Sequence, residues 1–261
     1  MSGRQLSLPE RRARAAATEL LERYAIDEPK HLVLDGLAAD LGVAVVHGEL
    51  EGAVARLARV GDRGRIRVAR RVTNLGRRRF SIAHELGHFV LKHDGSALAG
   101  CQERAMLDYK GESRESEANV FAVELLLPEK LVRKKCEVSP VDLRPVKKLA
   151  EAFETSVTAT AIRFIDFSPE ECALVYSEKG CIKWSRKSET CWWRVLRWGA
   201  ELEPASLASD FFRKGSMSED PEEVRGDAWI ESESGRCPDI VEHSMPIPSL
   251  DAVVTMLWRP S

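Results

Sequence analysis

The segment from residue 79 to 91 contains the pattern His-Glu-x-x-His, and it restricts the fold and chemistry of this chain more than any other feature. On a helix, His84 and His88 lie four residues apart and project from one face. Two imidazoles one turn apart can hold one metal ion, and Glu85 lies beside them, where it can accept a proton from water. The pattern therefore predicts a zinc site with His84 and His88 as metal ligands and Glu85 as the catalytic base.

The residues around this motif indicate a buried helix, because seven of them are apolar: Phe80, Ile82, Ala83, Leu86, Phe89, Val90 and Leu91. Polar groups without partners in a core cost roughly several kcal/mol, so a metal is a natural partner for the motif. The alternative is an ordinary core helix with two hydrogen-bonded histidines. Gly87 costs a helix about 1 kcal/mol relative to alanine, which predicts that another element approaches the backbone there.

A catalytic zinc site needs a third protein ligand. Residues 115–127 are typical of a second helix, in which the small residues Ala118 and Ala122 allow close packing. Glu115 lies one turn before this small-residue face and is our preferred ligand, with Glu117 in reserve. We expect Asn119 to support the ligand from the next turn. The alternative is a solvated helix start, where acidic residues are common.

Two motifs together resemble the ImmA/IrrE family of zinc metallopeptidases. They are Arg-Phe-Ser-Ile-Ala-His-Glu-Leu-Gly-His at 79–88 and Glu-x-x-Ala-Asn-x-Phe-Ala-x-x-Leu-Leu-x-Pro at 115–128. The resemblance extends over about residues 10–166. It implies a zincin-like domain that binds one Zn²⁺ through His84, His88 and Glu115, with Glu85 as the base. It also implies a role in bacterial or phage regulation, including stress responses, with a helix-turn-helix-type repressor as the protein substrate.

Two further residues are candidates for polarising a substrate. His93 lies five residues beyond His88, so it does not share the face of the ligands, and a surface histidine at a helix end is the alternative. Tyr109 lies in an irregular stretch and is a candidate donor to an oxyanion.

The pattern of elements predicts an α+β fold. We expect a zincin-like metallopeptidase domain at 1–135 and a helical, helix-turn-helix-like segment packed on it at 136–167. A β-rich module with a sensory or partner-binding role follows at 168–261, and we expect strands there at 224–230, 240–245 and 252–258. All six tryptophans lie in this last region, where we expect them to form the core. The second helix of the 136–167 segment has only Arg163 as a basic residue, so we interpret the segment as packing architecture and not as a DNA reader.

A predicted β-hairpin at 53–72 is unusually basic, since ten arginines and one acid lie between residues 56 and 79. The simplest interpretation is a solvated face. A docking patch for an acidic partner or a phosphate backbone is a second possibility. A third is pairing with residues 201–242, which contain twelve acidic and four basic residues.

The formal net charge of −2 gives no general attraction to nucleic acid or membranes, and we expect direct nucleic-acid binding to be absent. The sequence shows no apolar run of spanning length, no signal peptide and no Cys-x-x-Cys pair, which together favour a cytoplasmic protein. The leading functional hypothesis is a zinc endopeptidase that cleaves a regulatory protein. The alternative is a non-catalytic, metal-containing binding regulator in a repressor or toxin–antitoxin-like pair.

Overall fold

The computed structural model of the chain describes residues 6–93, 113–231 and 237–260. Within these ranges the helices are α1 Leu8–Arg23, α2 Leu34–Asp40, α3 Leu75–Val90, α4 Ser113–Leu126, α5 Glu129–Val132, α6 Leu143–Phe153, α7 Val157–Phe167 and α8 Leu207–Lys214. The strands are β1 Val43–Gly48, β2 Ala55–Val60, β3 Arg63–Ala69, β4 Cys172–Glu178, β5 Cys181–Lys187, β6 Glu222–Val224, β7 Ile240–Ile247 and β8 Ala252–Trp258. The predicted α+β class with a β-rich C-terminal region is confirmed.

The described chain divides into two compact units. One contains Leu6–Val132 together with Ala150–Ser156, and the other contains Arg133–Leu149 together with the residues from Val157 onward. The helices predicted between residues 141 and 167 are present as α6 and α7. The predicted domain boundaries after residues 135 and 167 remain predictions.

A three-stranded sheet in the order β1-β3-β2 forms one layer of the first unit. Strands β2 and β3 form the predicted hairpin, and β1 pairs with β3 in parallel. One face of β3 carries Ile66 and Val68, which are fully buried. This face packs against α3, where a side chain at Gly64 would lie 3.0 Å from the ring of Phe89. The sheet therefore lies directly against the helix that carries His-Glu-x-x-His.

Helix α3 begins after Asn74, whose side-chain oxygen accepts a hydrogen bond from the Arg77 amide at 2.9 Å. Most of its residues are buried, including all of the motif positions from His84 to Gly87. Helix α4 crosses it at Gly87. A Cβ atom there would lie 3.0 Å from Cδ1 of Phe121 and 3.3 Å from Cα of Ala118. The predicted close approach at Gly87 is confirmed, and it sets the spacing of the two helices.

Helix α1 supports the start of α4. Ser7 and Glu10 form a reciprocal capping box at the beginning of α1. The buried Glu10 carboxylate also accepts a hydrogen bond from the Ser116 hydroxyl. Arg14 pairs with Glu124 at 3.2 Å, farther along the same two helices. These polar contacts fix α4 at two points along its length, which positions its first turn.

The second unit contains a five-stranded antiparallel sheet in the order β5-β4-β8-β7-β6. Helix α8 was not predicted. It begins where the amides of Leu207 and Ala208 donate to the buried carboxylate of Glu242, at 3.0 and 2.8 Å. Trp229 donates to the same carboxylate at 2.7 Å. A strand predicted over residues 224–230 is wrong, because β6 ends at Val224 and a 3₁₀ turn occupies Gly226–Ala228.

The prediction that the tryptophans form the core is only partly right. Trp193, Trp229 and Trp258 are buried, whereas Trp192 is 62% exposed and Trp198 is 77% exposed. Trp192 lies between the buried residues Cys191 and Trp193, in a stretch that belongs to no helix or strand.

Candidate metal centre

Three side chains from α3 and α4 converge at one point. The Nε2 atoms of His84 and His88 are 3.0 Å apart. Glu115 lies in the first turn of α4, with one carboxylate oxygen 3.2 Å from His84 Nε2 and the other 3.3 Å from His88 Nε2. Among the described residues, these three form the one group of histidine, cysteine or acidic side chains able to share an ion.

The separations fit a tetrahedral ion. Ligands bound at about 2.0–2.1 Å from one Zn²⁺ lie roughly 3.3 Å from each other. Nδ1 of His84 lies 2.9 Å from Asn119 Oδ1, an acceptor, so this contact favours the tautomer with the proton on Nδ1. Its Nε2 lone pair then faces the anionic Glu115 carboxylate, and this pairing needs a cation between the two atoms. Because two imidazolium rings with Nε2 atoms 3.0 Å apart would repel each other, one shared metal ion fits the donor set better.

His93 and Glu117 lie behind His88. The Nδ1 atoms of His88 and His93 are 2.9 Å apart, and His93 Nε2 is 3.5 Å from a Glu117 carboxylate oxygen. Burial and the nearby His88 charge lower the pKa of His93, which favours a neutral ring. His88 Nδ1–H can then donate a hydrogen bond to the ring of His93. This tautomer leaves the lone pair of His88 Nε2 directed at the centre.

This position of His93 was not foreseen from the sequence. After α3 ends, Lys92 adopts a left-handed conformation with φ of 55°, and the amide of His93 donates to the carbonyl of His88 at 3.1 Å. The reversal brings His93 back beside the ring of His88. The five-residue spacing predicted that His93 does not share the face of His88. That rule holds only within a helix, and the helix ends before Lys92. Glu117 contacts His93 and lies outside the group of three candidate ligands.

Glu85 is buried beside the centre and is 6% exposed. Its carboxylate accepts a hydrogen bond from the amide of Leu57 on β2 at 3.0 Å. Burial raises the pKa of Glu85 to about 7, and the charge of Glu115 adds to the rise. The positive charges of His88 and Arg56 and the Leu57 amide oppose it. A carboxyl group with this pKa can both accept and return a proton near neutral pH.

Glu115 has the opposite electrostatic character. When protons on the two imidazoles take the place of an ion, their hydrogen bonds hold the pKa of this carboxyl well below its usual range, even though partial burial acts in the other direction. Glu115 is therefore an anion at neutral pH, which suits a metal ligand, while Glu85 retains access to its proton. Tyr109, the candidate oxyanion donor, lies outside the described residues.

A helix with His-Glu-x-x-His, crossed by a second helix that offers a carboxylate, is the arrangement of a metallopeptidase-type domain. The sequence profile of the IrrE N-terminal-like domain, Peptidase_M78, matches residues 38–164, which include both of these helices. The chain belongs to the ImmA/IrrE family.

Two individual proteins are similar to the chain. The first is "Uncharacterized immunity region protein 2" of Bacillus phage phi105, with 30% identity over 119 residues, which is 46% of this chain and 70% of the relative. The second is a solved structure, "Mycobacterium tuberculosis transcriptional regulator", with a TM-score of 0.57 and 18% identity. The match covers 94% of this chain and 87% of that one, and at this identity it shows a shared fold only.

None of the helices within the described part of the chain combines the length and apolar character needed to cross a membrane.

Proposed function

We propose that the chain is a zinc-dependent endopeptidase that cleaves a regulatory protein. The observation that carries this proposal is the convergence of His84, His88 and Glu115 next to the buried Glu85 carboxylate. His84, His88 and Glu115 would hold the metal, with Asn119 and His93 orienting the two imidazoles. Glu117 would act through His93, which supports Glu115 as the third ligand.

His84, His88 and Glu115 would hold a zinc ion whose Lewis acidity would polarise a peptide carbonyl and make water more acidic. Glu85 then has the role of general base. Its carboxylate accepts a proton from the attacking water and returns it to the leaving amine, for which a pKa near 7 is suited. In the free protein the Leu57 amide holds the Glu85 carboxylate through a 3.0 Å hydrogen bond.

Strand β2 offers a place for an extended substrate. It is at the edge of the three-stranded sheet, and the amide of Leu57 points away from β3 toward Glu85. An extended peptide can add to such an edge through backbone hydrogen bonds. A substrate held in this way would run past the candidate catalytic residue with its backbone exposed to attack.

The proposed substrate is a repressor of the helix-turn-helix type, and the proposed location is the cytoplasm. Membership of the ImmA/IrrE family supports this, as does the similarity to a phage immunity-region protein. A helix-turn-helix repressor acts on DNA, so a cytoplasmic site of action is consistent with the proposal.

Replacement of Glu85 by Gln tests this function. The Glu85→Gln variant should bind about one zinc per chain, as the wild type does, and should cleave no substrate, because Gln cannot accept the proton. The measurement is elemental analysis combined with mass spectrometry of new protein N-termini in cells that express either form. New N-termini present with both forms would remove Glu85 as the base. Zinc without any cleavage by the wild type would favour the non-catalytic binding regulator.

A further inference from the structure

Four arginines lie on the face of the three-stranded sheet that points away from α3. The register of β2 and β3 defines this face through the pairs Arg56↔Arg67, Ala58↔Arg65 and Val60↔Arg63. Ala44 and Val46 of β1 continue it beside Arg65 and Arg67. We call Arg56, Arg63, Arg65 and Arg67 the arginine face. None of the residues that these three strands place on this face is acidic.

The arginine face is costly for the fold. Arg56 and Arg67 lie directly opposite each other on neighbouring strands, and like charges in that position are destabilising. Within the described ranges, none of the four arginines forms an ion pair, and the Nε atom of Arg56 is buried without a hydrogen-bond partner. Arg59 and Arg71 in the same region differ, since they donate to backbone carbonyls. Apart from the effect of the Arg56 charge on Glu85, the four charges thus have no ionic partner among the described residues, and an external anion would relieve their repulsion.

We propose that the arginine face docks an acidic, extended segment of the protein substrate. This inference rests on the proposed peptidase function. Arg63, Arg65 and Arg67 occupy alternate positions of one strand, so they repeat at about 6.6–6.8 Å. An extended peptide with acidic residues at alternate positions has the same repeat. The guanidinium group also binds carboxylates in a bidentate manner, with defined geometry.

The position of β2 favours a peptide over a nucleic acid. Arg56 belongs to the arginine face, and the next residue, Leu57, contacts Glu85 through its amide at 3.0 Å. An acidic segment on the face is therefore connected to the strand edge that leads to the candidate catalytic residue. A nucleic acid on the same face would bring no peptide bond to that edge. The net charge of −2 for the whole chain also opposes general attraction to polyphosphates.

The test compares two double variants of the full chain. Arg63→Gln with Arg65→Gln removes two exposed charges from the arginine face. Arg11→Gln with Arg12→Gln removes two exposed charges from α1 and serves as the matched control. The probe is a fluorescein-labelled peptide of alternating glutamate and serine, and the readout is fluorescence anisotropy over a range of NaCl concentrations. We expect the face variant to weaken binding about fivefold and to reduce its salt dependence, and the control to leave both unchanged.

The same measurement is made with Glu85→Gln protein and with metal-free protein. Binding that depends on the arginine face in these forms supports the docking site even if no peptidase activity is found. Equal weakening by both double variants, or no binding of the peptide, would overturn the proposal. Tighter, face-dependent binding of random-sequence duplex DNA would assign the face to nucleic acid instead. Dimerisation in sedimentation velocity that the face variant abolishes would assign it to a second copy of the chain.

Discussion

At the scale of single residues, Asn119 lies behind His84 in the candidate metal centre. Its side-chain oxygen is 2.9 Å from Nδ1 of His84, and a hydrogen bond between them would leave Nε2 free to bind the proposed ion. We expect Asn119→Ala to reduce zinc affinity by about 10- to 100-fold, measured by competition with a chromophoric chelator. Asn119→Asp keeps a hydrogen-bond acceptor at this position and should lose less zinc affinity than Asn119→Ala. Unchanged affinity in the alanine variant would show that Asn119 does not orient His84.

Burial of Glu85 predicts a pH dependence of stability in the metal-free protein. Because the folded-state pKa is raised from 4.5 to about 7, the folded protein binds the proton more tightly than the unfolded chain does. The stabilisation is complete below pH 4.5 and disappears as the pH rises through 7. Relative to Glu85→Gln, which cannot titrate, the wild type should lose on the order of 3 kcal/mol between those limits. Urea unfolding of both metal-free proteins from pH 5 to 8 would measure the difference. If the stabilities of the two proteins changed in parallel with pH, Glu85 would not have a raised pKa in the folded protein.

At the scale of elements, the contact between α3 and α4 determines whether the ligands meet. The Gly87→Ala variant gains about 1 kcal/mol of helix propensity, but its Cβ atom would lie 3.0 Å from Phe121 and 3.3 Å from Ala118. Helix α4 must then move by a few tenths of an ångström and carry Glu115 with it. We therefore expect a folded protein with weaker zinc affinity, measured by the same chelator competition.

Gly36→Ala provides the control for that experiment. The nearest atom to a Cβ at Gly36 is 3.5 Å away, which is an ordinary contact, and Gly36 lies in the separate helix α2. This variant should gain stability and bind zinc as the wild type does. Equal zinc affinity in both variants would show that the spacing at Gly87 does not control the site.

Local sequence patterns predicted some elements and failed for others. The apolar motif helix and the hairpin around residues 61–62 were predictable, because periodicity and turn residues act over short distances. The parallel pairing of β1 with β3 depends on strands about twenty residues apart and leaves no local signal. Helix α8 had a capping serine at Ser206 and a glycine stop at Gly215, but it is only 8 residues long. Its main anchor is Glu242, which is distant in the sequence.

In the candidate site, too, some residues could be predicted from local sequence patterns and others could not. His84, Glu85 and His88 could be chosen from one motif, and Glu115 from the pattern of the next helix. The contact between His93 and His88 depends on a backbone reversal at Lys92, and the contact between Leu57 and Glu85 depends on how the sheet meets α3. Both arise from tertiary packing, which a spacing rule does not contain.

At the scale of the whole molecule, zinc should act as a cross-link between α3 and α4. An ion bound only by the folded protein stabilises it by about 4 kcal/mol when free zinc is a thousand times the dissociation constant. We expect chelation to lower the unfolding temperature and added zinc to restore it, measured by differential scanning calorimetry. The His84→Ala variant should respond to neither treatment. A wild-type unfolding temperature that is insensitive to chelation would argue against a bound structural or catalytic ion.

If the chain cleaves peptides as proposed, the hydrogen bond from Leu57 to Glu85 affects which peptides it can cleave. One amide cannot donate fully to two acceptors, so a peptide whose carbonyl pairs with Leu57 must displace the Glu85 carboxylate. In the free protein the Glu85 carboxylate is therefore bonded to the Leu57 amide, and a bound peptide would break this bond. Short peptides that cover only the scissile bond would leave the hydrogen bond between Leu57 and Glu85 in place. The proposed mechanism thus requires a substrate long enough to reach Leu57, and shorter peptides in the cell would not be cleaved.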